Sequence, residues 1–188
     1  MVEKICFELG VTEIKDSLVI VNSNLSENDI KLFFEGNLLQ EQSTPPRTFT
    51  VIGRQPPDLL LYKGVHVISA RVRSLMNKRK FLSAQFLNTQ VEHRSGINLP
   101  GYSILNPLHV IPAWDLLHTT WFTDEKEKAK YPVLNIKEIA LLKNIVGNND
   151  VFRLAEPRFS LFISEDLKTE LVNSGCSVGC SFVPIKCY

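Results

Sequence analysis

The sequence predicts an α+β fold, a mixed or mostly antiparallel sheet with short helices packed on one face, and three observations carry that prediction. Its apolar runs, such as residues 59–62 and 65–68, have strand length. Two stretches share one syntax, a short apolar strand, a serine and then a helical pattern: residues 65–68 with Ser69, and residues 159–163 with Ser164. Asn106-Pro107 and Ile111-Pro112 interrupt the middle of the chain, which therefore holds neither a central strand nor a long helix there. Composition agrees: 44% hydrophobic and 22% charged residues exclude disorder, and 188 residues suffice for a core without metals or disulfides.

In chain order, the opening residues are apolar but follow neither period, so no element is assigned to them. Ser26 ahead of Glu27, Asn28 and Asp29 is an N-cap with acids in the first turn, where the helix dipole favours them. Ile30, Phe33 and Phe34 then fall on one helical face, and Gly36 stands where a left-handed residue ends the helix. Residues 40–47, with Ser43-Thr44-Pro45-Pro46, read as a linker or exposed loop, and a second break follows at Gln55-Pro56-Pro57-Asp58. Between the breaks, residues 48–52 have strand length and propensity. The breaks suggest an N-terminal region, residues 1–55, packed on a main domain, residues 56–188.

After the turn at Lys63-Gly64 and the strand 65–68, Ser69 caps a helix that turns Val72, Leu75 and Met76 inward. Arg71, Arg73, Lys78, Arg79 and Lys80 project to water or gather near its C-terminal end. Residues 102–105 and 133–136 read as further strands, and residues 139–145 are ambiguous. Residues 124–130, charged and mixed in sign, read as a solvated loop or short helix. After the strand at 159–163, Ser164 caps a helix with Glu165 and Asp166 in its first turn, Leu167 and Leu171 as its buried stripe and Gly175 as its stop. Two copies of a common strand-to-helix signal do not make a repeat protein. They do imply helices covering one face of a sheet.

The chemistry is sparse. The start lacks a secretory pattern and no run approaches the roughly 20 apolar residues of a membrane span, so a cytoplasmic protein with free Cys6, Cys176, Cys180 and Cys187 is expected. The three-residue gap between Cys176 and Cys180 suits zinc, but a structural site needs four ligands and no histidine lies nearby. No His-Glu-x-x-His helix, Cys-x-x-Cys pair or glycine-rich phosphate cradle is present, so no catalytic residue, cofactor or metal is assigned. Asp115 and His118, three apart, read first as a hydrogen-bonded structural pair. The basic residues from Arg71 to Lys80 read as a solvated helix end, because the net charge is only +1 and no aromatics interleave them. Trp114, Trp121 and Phe122, next to Asp124, Glu125 and Glu127, form the leading candidate for a protein-binding edge.

Several landmarks follow in a definite order. Pro57-Asp58-Leu59-Leu60 leads to Gly64-Val65-His66-Val67-Ile68-Ser69, and Tyr102-Ser103-Ile104-Leu105-Asn106-Pro107 leads to Ala113-Trp114-Asp115. Val151-Phe152-Arg153-Leu154 and Leu161-Phe162-Ile163-Ser164-Glu165-Asp166-Leu167 come next, and Gly175-Cys176-Ser177-Val178-Gly179-Cys180-Ser181-Phe182-Val183-Pro184 closes the series. This order, over residues 57–185, resembles a family of bacterial immunity proteins found beside polymorphic and contact-delivered toxins, the family named after a myxobacterial immunity protein. The first third of the chain contributes nothing to the resemblance. It implies a non-enzymatic cytoplasmic protein that binds a cognate toxin and occludes its active or target-binding surface, with no catalytic motif to carry over. Two other readings make structural demands. A hydrolase-like enzyme needs a pocket uniting Asp115, His118 and a third polar group; a nucleic-acid-binding regulator needs Arg71, Arg73, Lys78, Arg79 and Lys80 on one exposed face.

Overall fold

Strand residues outnumber helical ones, 43% to 17%, so sheets set the layout and the α+β class is the one predicted. The computed structural model describes residues 4–41, 43, 45–79, 83–122, 136–156 and 160–188. One sheet has β14 (Cys180–Cys187), β1 (Lys4–Val11), β13 (Leu161–Ser164) and β12 (Val151–Leu154) in antiparallel order, with β9 (Val110–Ile111) parallel at its edge. A second, wholly antiparallel sheet runs β4 (Leu59–Tyr62), β5 (Val65–Ser69), β8 (Tyr102–Pro107), β6 (Ala84–Asn88). A third joins β2 (Val19–Ser23), β3 (Thr48–Ile52) and β7 (Gln90–His93), and a small ribbon pairs β10 (Thr120–Trp121) with β11 (Ile136–Glu138). Among the described residues the helices are α1 (Glu27–Phe34), α2 (Ala70–Met76), α3 (Lys143–Val146) and α4 (Glu165–Asn173).

The two larger sheets enclose a central core, where Phe7, Leu9, Val151 and Ile163 meet Leu59, Ile68 and Leu105. Helices α2 and α4 close it with Val72, Met76, Leu167 and Leu171. Alternate residues of the same strands face outward into two further cores. Leu60, Val65, Val67 and Ile104 pack against Phe33 of α1 and Phe49, Val51 and Val91 of the three-stranded sheet. On the opposite side, Cys6, Phe152, Leu154 and Phe162 pack against Ala113, Leu141, Val146 and Ile185. A strand buried on both faces has no polar alternation, which is why residues 59–62 and 65–68 read as continuous apolar runs. The same cause hides β1 in the sequence, since Cys6 enters one core and Phe7 and Leu9 the other.

The predicted caps are in place. Ser26 Oγ accepts from the Asp29 amide (3.1 Å) while the Asp29 carboxylate accepts from the Ser26 amide (2.9 Å), a reciprocal capping box. Gly36 follows α1 at φ 68°, and a Cβ there would lie 2.9 Å from the Leu108 carbonyl oxygen, so only glycine lets α1 dock beside β9. The loop at 40–47 is tied by the Arg47 guanidinium, which donates to the carbonyls of Gln40 (3.0 Å) and Glu41 (3.2 Å). Both interrupting prolines stand where a ladder stops: Pro107 ends β8 opposite Ala84, and Pro112 follows β9. Of the strand expected at 133–136, only Ile136 is among the described residues, and it opens β11; Phe159 also lies outside them. Residues 139–145 become a bridge at Leu141 and the start of α3.

The two strand-serine-helix units correspond rung by rung. Leu59 faces Ile68 as Val151 faces Ile163; the next rungs are Leu60–Val67 and Phe152–Phe162, then Leu61–His66 and Arg153–Leu161. The third and fourth strands also match, with Phe86 opposite Leu105 in one unit and Phe182 opposite Leu9 in the other. This is no tandem array, because β1, from the start of the chain, serves as the third strand of the second unit. An aspartate just ahead of each hairpin latches it to the serine at its end. The Asp58 carbonyl accepts from the Ser69 amide (2.9 Å) and its carboxylate from the Ser69 hydroxyl (2.7 Å); Asp150 holds Ser164 likewise at 3.0 and 2.7 Å. Each serine oxygen then caps its helix by accepting from the amide of Val72 or Leu167.

Candidate protein-binding edge

Residues 113–122 leave β9 on a short, heavily tied turn. Its base is pinned to the third core: Ala113 is buried, its carbonyl accepts from the Leu142 amide (2.7 Å), and the Asp115 amide donates to the Ala140 carbonyl (2.9 Å). Asp115 then opens the turn as a short polar side chain can, with Oδ1 accepting from the amides of Leu117 (3.0 Å) and His118 (3.2 Å). Thr119 Oγ1 donates to the Asp115 carbonyl (2.6 Å) and accepts from the Ala140 amide (3.1 Å) and the Trp114 indole (2.9 Å). That uses its one donor and both lone pairs. His118 Nδ1 lies 2.7 Å from Asp115 Oδ2, and its ring stacks on Tyr188 with centroids 4.1 Å apart and planes 8° from parallel. Tyr188 is itself fixed, its amide donating to the Leu141 carbonyl (2.9 Å) and its carbonyl accepting from the Lys143 amide (2.8 Å). Burial pushes the Asp115 carboxyl up, but the hydrogen bonds from His118 and Leu117 outweigh it and hold the group below its ordinary value.

At the tip, Leu116 and Leu117 are 60% and 86% exposed. Burying a leucine is worth about 1.5–3 kcal/mol, and turns ordinarily carry glycine, asparagine or serine, so folding of this chain does not account for the pair. Trp114 and Trp121 come together, with ring centroids 5.9 Å apart; Trp114 is half-buried with its indole N–H satisfied, and Trp121 is 43% exposed on β10. Phe122 follows, half-buried. Asp124, Glu125 and Glu127, with the whole run 124–130, lie outside the described residues. Leu116, Leu117 and Tyr188 were not singled out by the sequence. The available signal was an apolar pair directly after a turn-opening aspartate; Tyr188 has none, because its stacking partner lies far upstream.

The same geometry bears on the two other readings. Asp115 and His118 do pair, but the hydroxyl beside them, Thr119, has its bonding capacity filled by the turn. The three arginines are engaged within the fold, whereas Lys78 is exposed: Arg71 grips Asp58 with Nε and Nη2 both at 2.5 Å, Arg79 grips Asp150 (2.7 Å) and Glu170 (2.8 Å), and Arg73 reaches Ser103 Oγ (3.0 Å) and lies over the Phe86 ring. Lys80 lies outside the described residues. Among the described residues no group of three or more His, Cys, Asp or Glu side chains is placed to hold a metal ion. All four cysteines are free thiols, with Cys6 and Cys187 sulfurs 3.6 Å apart in the third core.

Fold and edge together define a small α+β protein with an aromatic and aliphatic turn held rigidly at its surface. No helix among the described residues is long and apolar enough to cross a membrane. A model of the Immunity protein family (Imm11) matches residues 12–186 of 188, and the chain belongs to that family. The match starts well ahead of residue 57, so β2, α1 and β3 fall inside the family's span although their sequence shows no landmark. Comparison with curated proteins finds no match.

Proposed function

We propose that the protein is a stoichiometric inhibitor that binds a cognate bacterial toxin and occludes its active or target-binding surface, acting in the cytoplasm without catalysis of its own. Membership of the Immunity protein family (Imm11) over residues 12–186 carries this reading. A standard interface takes about 800 Å² from each partner, under a tenth of the 10667 Å² this chain exposes. On this reading Trp114, Trp121 and Phe122 supply aromatic anchors, while Asp124, Glu125 and Glu127 are rim charges that steer a cationic partner surface.

Co-expression with the growth-inhibiting product of the neighbouring reading frame tests the reading. Restored growth and co-purification in equal amounts are expected, and failure of both refutes it. Reversing two rim charges (E125K, E127K) is expected to slow association and weaken binding on the order of tenfold at low salt, with the Tm nearly unchanged. Unaltered affinity would remove that segment from the interface.

A further inference from the structure

Leu116 and Leu117 belong neither to a core nor to the aromatic pair beside them, and their turn is built to keep them exposed. We infer that this tip is an apolar knob that enters an uncharged hydrophobic pocket on the toxin. The inference rests on the toxin-binding reading and adds the chemistry of the surface that the toxin presents.

Preorganisation is the first argument. Hydrogen bonds from the Leu117 and His118 amides to the Asp115 carboxylate, and from the Thr119 hydroxyl to the Asp115 carbonyl, fix the turn in the free protein, so docking orders little further backbone. Charge is the second. From Ala113 to Phe122 the only ionisable side chains are Asp115 and His118, and they are bonded to each other. The tip carries no lysine or arginine with which to meet a nucleic-acid phosphate or an anionic lipid headgroup. An uncharged pocket is the surface that complements it. Shape is the third: two convex tips do not fit each other, and a pair of leucines is far short of the area a stable dimer buries, whereas a concave pocket surrounds them. The His118–Tyr188 stack beside the tip supplies a flat aromatic wall that excludes water around an inserted knob.

Affinity gained this way resides in slow dissociation and resists salt, unlike that of the rim acids. The test measures binding of the purified toxin domain from the neighbouring reading frame at low and high salt, using wild type, the double variant L116S/L117S, and L38S as a control on another exposed leucine. The double variant is expected to bind about 30-fold more weakly or worse at both salts, through faster dissociation and with an unchanged Tm, while L38S binds like wild type. Wild-type affinity in the double variant would overturn the knob and leave the toxin reading standing. A loss confined to low salt would overturn the uncharged pocket. Sedimentation of wild type, but not the double variant, with phosphatidylserine-containing vesicles would also overturn it, by giving the tip to a membrane. If wild type itself fails to bind the toxin domain, both readings fall together.

Discussion

The two strand-serine-helix units share rungs, latch and cap but differ in what holds the latch aspartate. Asp58 is gripped by Arg71 of its own unit, an arginine 52% exposed, and also accepts from the Val178 amide at 2.9 Å. Asp150 is gripped by Arg79, which follows α2 in the other unit, is 21% exposed, and also bonds Glu170 of α4. Those hydrogen bonds, Asp150 foremost, hold the Arg79 guanidinium above its ordinary pKa. The arginine closes one latch within its own unit and the other between units. Similar ion pairs on matching scaffolds therefore serve different ends: Arg71 orients a cap, whereas Arg79 couples two halves of the central core.

Arg79→Met tests that contrast most severely. It leaves Asp150 buried without its cation, a class of change that costs about 3–5 kcal/mol, and urea unfolding should also broaden as the two units lose coupling. Arg71→Met also leaves a buried carboxylate, Asp58, but is expected to cost less, about 1–3 kcal/mol, because Asp58 keeps the Ser69 hydroxyl and Val178 amide as donors and the arginine it loses is half in solvent. Equal losses from the two variants would dissolve the distinction between a local and a bridging latch.

The third rung gives a pH-dependent comparison. Where one unit has His66 the other has Leu161, and where one has Leu61 the other has Arg153. The two polar groups meet across the core: His66 Nε2 bonds the Leu9 carbonyl (3.1 Å), and the buried Arg153 donates to the Gly64 carbonyl (3.0 Å) with its guanidinium 4.9 Å from the Phe34 ring centre. Burial first, and then the charge of Arg153, push the His66 pKa down from 6.5 to about 3. A lowered folded pKa means that the unfolded chain takes up the proton first. The contribution is therefore whole above pH 6.5 and is lost progressively as pH falls to about 3, at up to about 1.4 kcal/mol per pH unit. His66→Leu, which copies the other unit's residue, should flatten stability between those limits even though it lowers the plateau; an unchanged slope would place the acid sensitivity elsewhere.

Local grammar was legible and long-range closure was not. Ser26, Ser69 and Ser164 each cap a helix as their spacing predicts, because a cap is decided within three residues. Strand β1 escaped because both its faces are buried, and β6 and β7 because Ala84-Gln85 and Gln90 are weak strand formers held by long-range pairing and contacts. The latch aspartates lie 11 and 14 residues from their serines, a relation that exists only after the hairpins close. At the edge, aromatic residues announced Trp114 and Trp121. The exposure of Leu116 and Leu117 depends instead on how Asp115 and Thr119 bend the backbone, which no composition rule displays.

The smallest expected effects separate cap from latch. Ser69→Ala and Ser164→Ala each remove a helix N-cap and one donor to a buried aspartate, about 1 kcal/mol apiece. Helix α4 keeps Glu165 and Asp166 in its first turn, where they favour its positive end, and α2 has no acid there, so Ser69→Ala should be the costlier by a few tenths of a kcal/mol. If the caps are local, the double variant will equal the sum of the singles within about 0.5 kcal/mol in urea unfolding. A larger interaction that disappears in the Arg79→Met background would mean that the two latches communicate through that arginine, and the bridging role would then extend from the ion pair to the helix starts themselves.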